Sequence, residues 1–252
     1  MMKEIIKIHK TRKRGHQAGG FGIDILWPGL VLNKGDSGIG GIGRIDHAAV
    51  SPGTVIPMHS HKDDEILTYL RSGLVRHLDT EGNSEEISPT RLMLMGAGHT
   101  FQHEEQVLNQ GGKLEGLQIF LRPVTPDLKP CVQFHDFDTA FSLNQWRNIA
   151  GPDNAPLVIR SSVWIQDARL EANTSLPLPV TPAENISRLI YVFAGQVNIE
   201  DVILHPGESL LVSSEKFTLM ATAQSDVVLF TTDIAASVFK GGMFSGNILS
   251  HS

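Results

Sequence analysis

Short apolar runs separated by turn residues recur along the whole chain. The runs are rich in Val, Ile, Leu and Thr, and turn sequences such as Ser51-Pro52-Gly53 and His205-Pro206-Gly207 lie between them. No long stretch shows the spacing of an amphipathic helix. The pattern therefore predicts an all-β fold, with strands at residues 42–50, 65–70, 74–79, 91–95, 114–121, 162–168, 188–193 and 227–232.

A weak internal repeat relates the two halves of the chain. The sequence TYLRSGLV at residues 68–75 is echoed by IYVFAGQV at residues 190–197, and each copy continues through a proline-containing turn into a further apolar run. Two tandem β modules explain both the chain length and this spacing. We therefore expect an N-terminal domain at residues 1–150 and a C-terminal domain at residues 151–252, with a short helix or turn at residues 144–149.

Composition narrows the class of protein. A chain of 252 residues with 41% hydrophobic and 19% charged residues is typical of soluble globular proteins. No window contains the roughly 18 apolar residues that a membrane-spanning helix needs, so we expect no membrane association. The start of the chain lacks the apolar stretch of a secretory signal, and Cys131 is the only cysteine, which together favour a cytoplasmic location.

The formal net charge of −6 argues against a direct nucleic-acid partner. Binding to the phosphate backbone requires clustered Lys and Arg side chains that neutralise it. We therefore expect a small molecule or another protein as the partner of this chain.

Candidate chemistry is concentrated in the first half of the chain. Residues i and i+2 of a strand point to the same face, so the sequence His59-Ser60-His61 aims two imidazoles to one side. The sequence His103-Glu104-Glu105 repeats this geometry with one imidazole and one carboxylate. Such donors suit Fe, Mn, Ni, Co, Cu or Zn, so the pattern predicts one divalent transition metal in the first module.

The spacing around these residues resembles two motifs of the cupin superfamily. Gly53 precedes His59 by six residues, Glu65 follows His61 by four, and Gly73 lies at the next turn, as in the first cupin motif. The stretch at residues 95–103 occupies the place of the second motif. The chain resembles the pirin family more closely. The resemblance is carried by the sequences HSHKDDEILTY at residues 59–69, DTEGN at 79–83 and GLQIFL at 116–121, and by the pair His103 and Glu105.

The resemblance implies a bicupin, with two tandem cupin-type β-barrels of which only the N-terminal one holds metal. In pirins the metal is usually iron, and the ligands would be His59, His61, His103 and Glu105. Ordinary cupins use the glutamate of the first motif instead, so Glu65 stays open as the alternative to Glu105. We expect Fe(II) as the cofactor, with Mn, Ni, Co, Cu or Zn as alternatives.

The resemblance also implies two hypotheses for function, and whether the chain is an enzyme stays open between them. One is an oxygen-dependent dioxygenase of the quercetinase type, which acts on a flavonol such as quercetin or a related enol and uses Glu105 as the catalytic proton acceptor. The other is a non-enzymatic iron-binding regulator that senses redox state and acts through a protein partner.

Three further expectations concern residues outside this set. His99 lies at the turn within the second motif, where it would be a neighbour of the ligands. His77 is expected on a strand as an ordinary surface histidine. Residues 235–252 are expected to pack back onto a barrel or to cross to another subunit.

Overall fold

The computed structural model describes residues 5–10, 14–213 and 216–249, and of residues 14–18 it describes the backbone alone. The strands form two seven-stranded and two four-stranded sheets, and each seven-stranded sheet pairs with one four-stranded sheet in a barrel. The expected all-β fold with two tandem barrels is confirmed. No helix among the described residues is long and apolar enough to cross a membrane.

The first barrel contains the central part of the N-terminal half. With strands numbered in chain order, its large sheet has the spatial order β12 (Cys131–Asp136), β9 (Arg91–Gly96), β6 (Glu65–Ser72), β11 (Leu114–Leu121), β4 (Ile42–Val50), β3 (Phe21–Leu26) and β2 (Arg14–Ala18). Its small sheet has the order β5 (Val55–His61), β10 (Phe101–Val107), β7 (Val75–Asp79) and β8 (Ser84–Ile87). Short 3₁₀ turns occur at Pro28–Leu32 and Asn109–Gly111.

The second barrel repeats this arrangement with shorter strands. Its large sheet has the order β1 (Ile5–Ile8), β20 (Ser209–Val212), β17 (Ile186–Ala194), β22 (Ser225–Asp233), β15 (Val163–Leu170), β13 (Arg147–Gly151) and β14 (Leu157–Val158). Its small sheet has the order β16 (Ser175–Pro177), β21 (Thr218–Ala221), β18 (Val197–Ile199) and β19 (Val202–Leu204).

The repeat seen in the sequence marks equivalent places in the two barrels. The link between β6 and β7 contains Gly73, and the link between β17 and β18 contains Gly195. Both glycines have positive φ, 91° and 81°, and an added Cβ would lie within 2.6 Å and 2.2 Å of backbone atoms. Only glycine meets both requirements, because other residues rarely adopt this conformation.

The division of the chain near residue 150 stays a prediction, and two strands of the second barrel include residues that precede this position. Strand β1, near the start of the chain, pairs with β20 of the second barrel. Strand β13 begins at Arg147, so the expected short helix or turn at residues 144–149 is wrong beyond its first residues. Asn144, with a φ of 55°, and Gln145 form a bend there.

Three hydrophobic cores follow from the strand alternation. One fills each barrel, and the third lies where the two large sheets face each other. On β6, Ile66 and Leu70 point into the first barrel, while Leu67 and Tyr69 point into the shared core. A strand that is buried on both faces reads as a continuous apolar run, which explains the sequence of this segment.

Polar bonds also join the barrels across the shared core. The carboxylate of Glu65 on β6 accepts hydrogen bonds from the backbone N–H and from Nε of Arg160, both at 2.9 Å. Nearby, the hydroxyl of Tyr69 donates to Asp167 of β15 at 2.7 Å. Glu65 is 1% exposed, so its negative charge depends on the guanidinium for compensation.

Residues 239–249 pack back onto the first barrel, one of the two arrangements expected from the sequence. The backbone N–H of Phe239 bonds to the carbonyl of Pro123, and that of Met243 bonds to the carbonyl of Lys62. Residues 250–252 lie outside the described part of the chain.

We predict that Arg160→Met destabilises the fold by about 3 kcal/mol, because it leaves the buried Glu65 carboxylate without its cation. Denaturation by urea, followed by tryptophan fluorescence, measures this loss. The matched control is Arg76→Met, which breaks the exposed ion pair of Arg76 with Glu86 and should cost no more than about 1 kcal/mol. Equal losses in the two variants would contradict the structural importance of the Glu65 pair.

Candidate metal centre

The register of β5 and β10 brings three histidines together. His103 on β10 lies opposite His59 on β5, and Phe101 lies opposite His61. Residues directly opposite each other on antiparallel strands have Cβ atoms about 5 Å apart, so their side chains meet on one face. The two histidines of β5 therefore share the inner face of the barrel with His103.

The three imidazoles form a compact group. One nitrogen from each ring lies within 4.8 Å of the other two, and Nε2 of His61 is 3.0 Å from Nε2 of His103. His61 and His103 are buried, with 3% and 0% exposure, whereas His59 is partly exposed. His61 and His103 are thus shielded from solvent, and the group is reachable from the side of β5, which is an edge strand.

In each ring the second nitrogen faces a different partner. Nδ1 of His59 lies 2.8 Å from the carbonyl oxygen of Pro57, which can only accept, so this nitrogen carries the proton. Nδ1 of His61 is buried without a hydrogen bond and lies 3.9 Å from a carboxylate oxygen of Asp64. In metal sites the outer nitrogen of a ligating histidine typically faces a carboxylate or a carbonyl in this way.

Burial favours the neutral, metal-binding form of His59 and His103. Desolvation, together with the neighbouring imidazoles, lowers the pKa of His103 to about 2. Desolvation also lowers the pKa of His59. A neutral imidazole has one unprotonated nitrogen, which is the atom that a transition metal needs.

The distance between His61 and His103 fits coordination by one ion. Two nitrogens that each lie about 2.1 Å from a metal, at a right angle, are separated by about 3.0 Å. The Nε2 atoms of the two rings have this separation. The donor set and its spacing thus make this a candidate site for a divalent metal.

Glu105 lies on the same inner face of β10, two residues beyond His103. It is 7% exposed, and it lines a mainly apolar cavity together with Phe21, Val50, Leu70 and others. Desolvation raises the pKa of Glu105 to about 7. The carboxylate is not among the groups within 4.8 Å of one another, so its part as a ligand stays a prediction.

The alternative ligand Glu65 is engaged elsewhere. Both of its carboxylate oxygens bond to Arg160, as described above. Its pKa is raised by desolvation, with Arg160 opposing the shift. Among the described residues, Glu65 is not part of the histidine group. The residue that completes the first cupin motif therefore serves here to join the barrels.

The expectation that His77 is a surface residue is wrong. The side chain is 0% exposed, and its Nδ1 lies 3.3 Å from Nδ1 of His103. Its own Nε2 lies 2.8 Å from Asp79. The sequence does carry a signal, because His77-Leu78-Asp79 has the same i, i+2 spacing as the two ligand pairs. By contrast, His99 is exposed at its turn.

The C-terminal segment contributes to the same site. Asp64 accepts hydrogen bonds from the backbone N–H groups of Phe244 and Ser245, at 3.0 Å and 2.8 Å. The ring of Phe244 lies 5.1 Å from that of His61, between centroids. These residues hold the carboxylate that faces His61, and no local sequence pattern around the histidines indicates their presence.

Comparisons with known proteins agree with the family resemblance seen in the sequence. Residues 41–121 match the family model described as Pirin. A protein named quercetin 2,3-dioxygenase from Escherichia coli K12 is 25% identical over 232 residues, which cover 90% of this chain and 98% of that one. The resemblance to the pirin family is confirmed.

Solved structures show the same fold. The bacterial pirin YhhW from Escherichia coli, in complex with nickel(II), matches with a TM-score of 0.80 at 21% identity, covering 91% of this chain and 99% of that one. A quercetin 2,3-dioxygenase from Acinetobacter baumannii matches with a TM-score of 0.74 at 20% identity, covering 93% and 88%. The arrangement of the two barrels is therefore shared across these proteins.

We predict that the double substitution His59→Ala, His61→Ala weakens binding of Ni(II) by at least about 100-fold, since loss of an outer partner alone costs 10- to 100-fold. Calorimetric titration and elemental analysis of the loaded protein measure the effect. The matched control is His99→Ala, which removes an exposed imidazole and should leave the stoichiometry at one ion per chain. Equal affinity in the double variant and the control would refute the site.

Proposed function

We propose that this pirin-like chain is a metal-dependent oxidoreductase that uses dioxygen to cleave a small aromatic or enolic substrate, with a flavonol such as quercetin as the first candidate. The observation that carries the proposal is the convergence of three imidazoles at the strand face of β10 that also carries the buried carboxylate of Glu105. The names of relatives such as the Escherichia coli quercetin 2,3-dioxygenase support the substrate class.

We propose His59, His61 and His103 as the residues that hold the metal, with Glu105 completing the set. Fe(II) is the proposed ion, and Mn, Ni, Co, Cu and Zn are alternatives, because the same donors accept several first-row ions. When bound, the metal supplies Lewis acidity at an enolic hydroxyl and a template for substrate and dioxygen. The bacterial pirin YhhW, which shares this fold, was solved in complex with nickel(II), and this supports a divalent ion in this chain.

The cavity beside Glu105 favours an apolar substrate. Its walls include Phe21, Ile23, Val50 and Leu70, and Glu105 is the only ionisable side chain that lines it among the described residues. An aromatic ring can pack against such walls while its hydroxyl approaches the single carboxylate. The partly exposed His59, on the edge strand, leaves a route of access to the site.

Glu105 is the proposed acceptor of the hydroxyl proton. None of the described residues donates a hydrogen bond to its carboxylate, so its oxygens are available to the metal and to the substrate. General bases must lie within hydrogen-bond reach of the proton that they remove, and the position of Glu105 at the cavity wall supports such an approach by a substrate in the cavity. Here the residue would take the proton from the enolic hydroxyl and hold it through the oxygenation.

The proposed reaction balances without a further reductant. Both atoms of dioxygen enter the organic product, while the two ring carbon–carbon bonds of the enolic carbon break. That carbon leaves as carbon monoxide with its own oxygen. The electrons that reduce dioxygen come from the substrate.

We expect oxygen uptake with quercetin from protein purified anaerobically and loaded in turn with Fe(II), Mn(II), Ni(II) and Cu(II). Release of carbon monoxide should accompany the uptake, and the double variant His59→Ala, His61→Ala should show neither. Metal binding without uptake would overturn the flavonol proposal. In that case the redox-regulator hypothesis is the one to test, with ferrous, ferric and metal-free protein against protein partners.

A second prediction separates metal binding from proton transfer. Glu105→Gln should retain most of the metal yet lose at least about 100-fold in turnover, because an amide cannot accept the proton. Elemental analysis and the uptake rate measure the two properties on the same sample. The matched control is Glu104→Gln, on the opposite face of β10, which should leave both unchanged. Normal turnover in Glu105→Gln would contradict the proposed role.

A further inference from the structure

The imidazole of His77 lies next to that of His103. Strand β7 pairs with β10 on the side away from β5, and its register places Asp79 opposite His103 and His77 opposite Glu105. The Nδ1 atoms of His77 and His103 are 3.3 Å apart, and Nε2 of His77 is 2.8 Å from Oδ2 of Asp79. The three side chains thus form one continuous row that ends at the metal-facing ring.

The direction of each hydrogen bond in this row is fixed from its far end. Asp79 accepts from the backbone N–H groups of Glu81 and Asn83, at 2.9 Å and 3.0 Å, and from Nδ2 of Asn83 at 2.8 Å. Its oxygens are therefore acceptors, so Nε2 of His77 must carry the proton that it shares with Asp79. The Nδ1 of His77 is then the unprotonated nitrogen of that ring.

The same reasoning continues into His103. Because Nδ1 of His77 can only accept, Nδ1 of His103 must be the donor. The neutral ring of His103 then has its unprotonated nitrogen at Nε2, the atom that lies 3.0 Å from Nε2 of His61. Asp79, through His77, thus selects the tautomer of His103 whose free electron pair faces the other two histidines.

We propose that His77 and Asp79 are positioning residues that fix the tautomer and the ring orientation of His103 and thereby raise the metal affinity of the site. The inference rests on the proposed metal centre and deepens it. A carboxylate that acts on a ligand through an intervening imidazole extends the usual pairing of a carboxylate with a metal-bound histidine.

Packing alone does not account for His77. The ring stacks beside Phe101 and lies near Phe134, with centroid distances of 6.4 Å to both. A phenyl ring would suit these neighbours without the cost of desolvating two nitrogens. In the structure both nitrogens are instead bonded, one to Asp79 and one to His103, and each side chain of the pair with Asp79 is shielded from solvent.

The test uses the full chain with His77→Phe, His77→Gln and a control, His135→Phe. Phenylalanine removes both hydrogen bonds of His77. Glutamine supplies one acceptor and one donor and can therefore replace both bonds. His135 lies on β12, so His135→Phe makes the same substitution away from the metal site. Long-range ¹H–¹⁵N spectra of histidine-labelled, metal-free protein report the tautomer of His103, and calorimetry reports the Kd for Ni(II).

We expect the wild-type spectrum to show His103 protonated at Nδ1. His77→Phe should lose this single tautomer and bind Ni(II) 10- to 100-fold more weakly, as is usual for loss of an outer partner. His77→Gln should recover most of the affinity, and His135→Phe should match the wild type. Thermal unfolding of the metal-free variants verifies that they fold.

An unchanged His103 tautomer together with an unchanged Kd in His77→Phe would overturn the inference. This result does not depend on whether quercetin is a substrate. Conversely, the expected tautomer in the wild type and the expected Kd differences between the wild type and the variants would support the role of His77 and Asp79. If the same wild-type protein showed no oxygen uptake, the dioxygenase proposal would be overturned.

Discussion

Three imidazole rings share one small space inside the first barrel, and their nearest nitrogens cannot all carry protons. The 3.0 Å separation of Nε2 in His61 and His103 is the tightest expression of this constraint. Each ring must place its proton on the outer nitrogen when a cation sits between them, so each outer nitrogen needs a partner. The carbonyl of Pro57 and the side chains of Asp64 and His77 occupy these three positions. They come from strand β5, from the link between β5 and β6, and from strand β7.

The second barrel supports this site without donating to it. Among the described residues, its turn histidine, His205, belongs to no such group of donors, and its large sheet covers the apolar outer face of the first barrel. Arg160 neutralises Glu65 at the contact between the two. In ordinary cupins a glutamate at this spacing binds metal, whereas here it is bound by the other half of the chain. The second copy of the barrel therefore supports the first, and among the described residues the candidate metal site lies in the first copy alone.

Much of the fold could be predicted from the sequence, because the relevant signals are local. The apolar runs correspond to strands, with β4 and β11 at the expected bounds, and the repeated glycine turns mark equivalent links. The grouping of His59, His61 and His103 follows from i, i+2 spacing and a shared motif. His77 and the pairing of β1 with β20 depend instead on which distant strands become neighbours. The i, i+2 spacing of His77 and Asp79 places both side chains on one face of β7, but no pattern within that strand shows that it lies beside β10.

Asp64 links the metal site to the order in which the chain is made. The N–H groups that hold its carboxylate belong to Phe244 and Ser245, which follow both barrels in the sequence. A ribosome releases these residues only after the histidines have long been outside the exit tunnel. The nascent first barrel can therefore fold early, but Phe244 and Ser245 reach its site only late. Newly made protein would thus take its final affinity for metal only once synthesis has passed the second barrel.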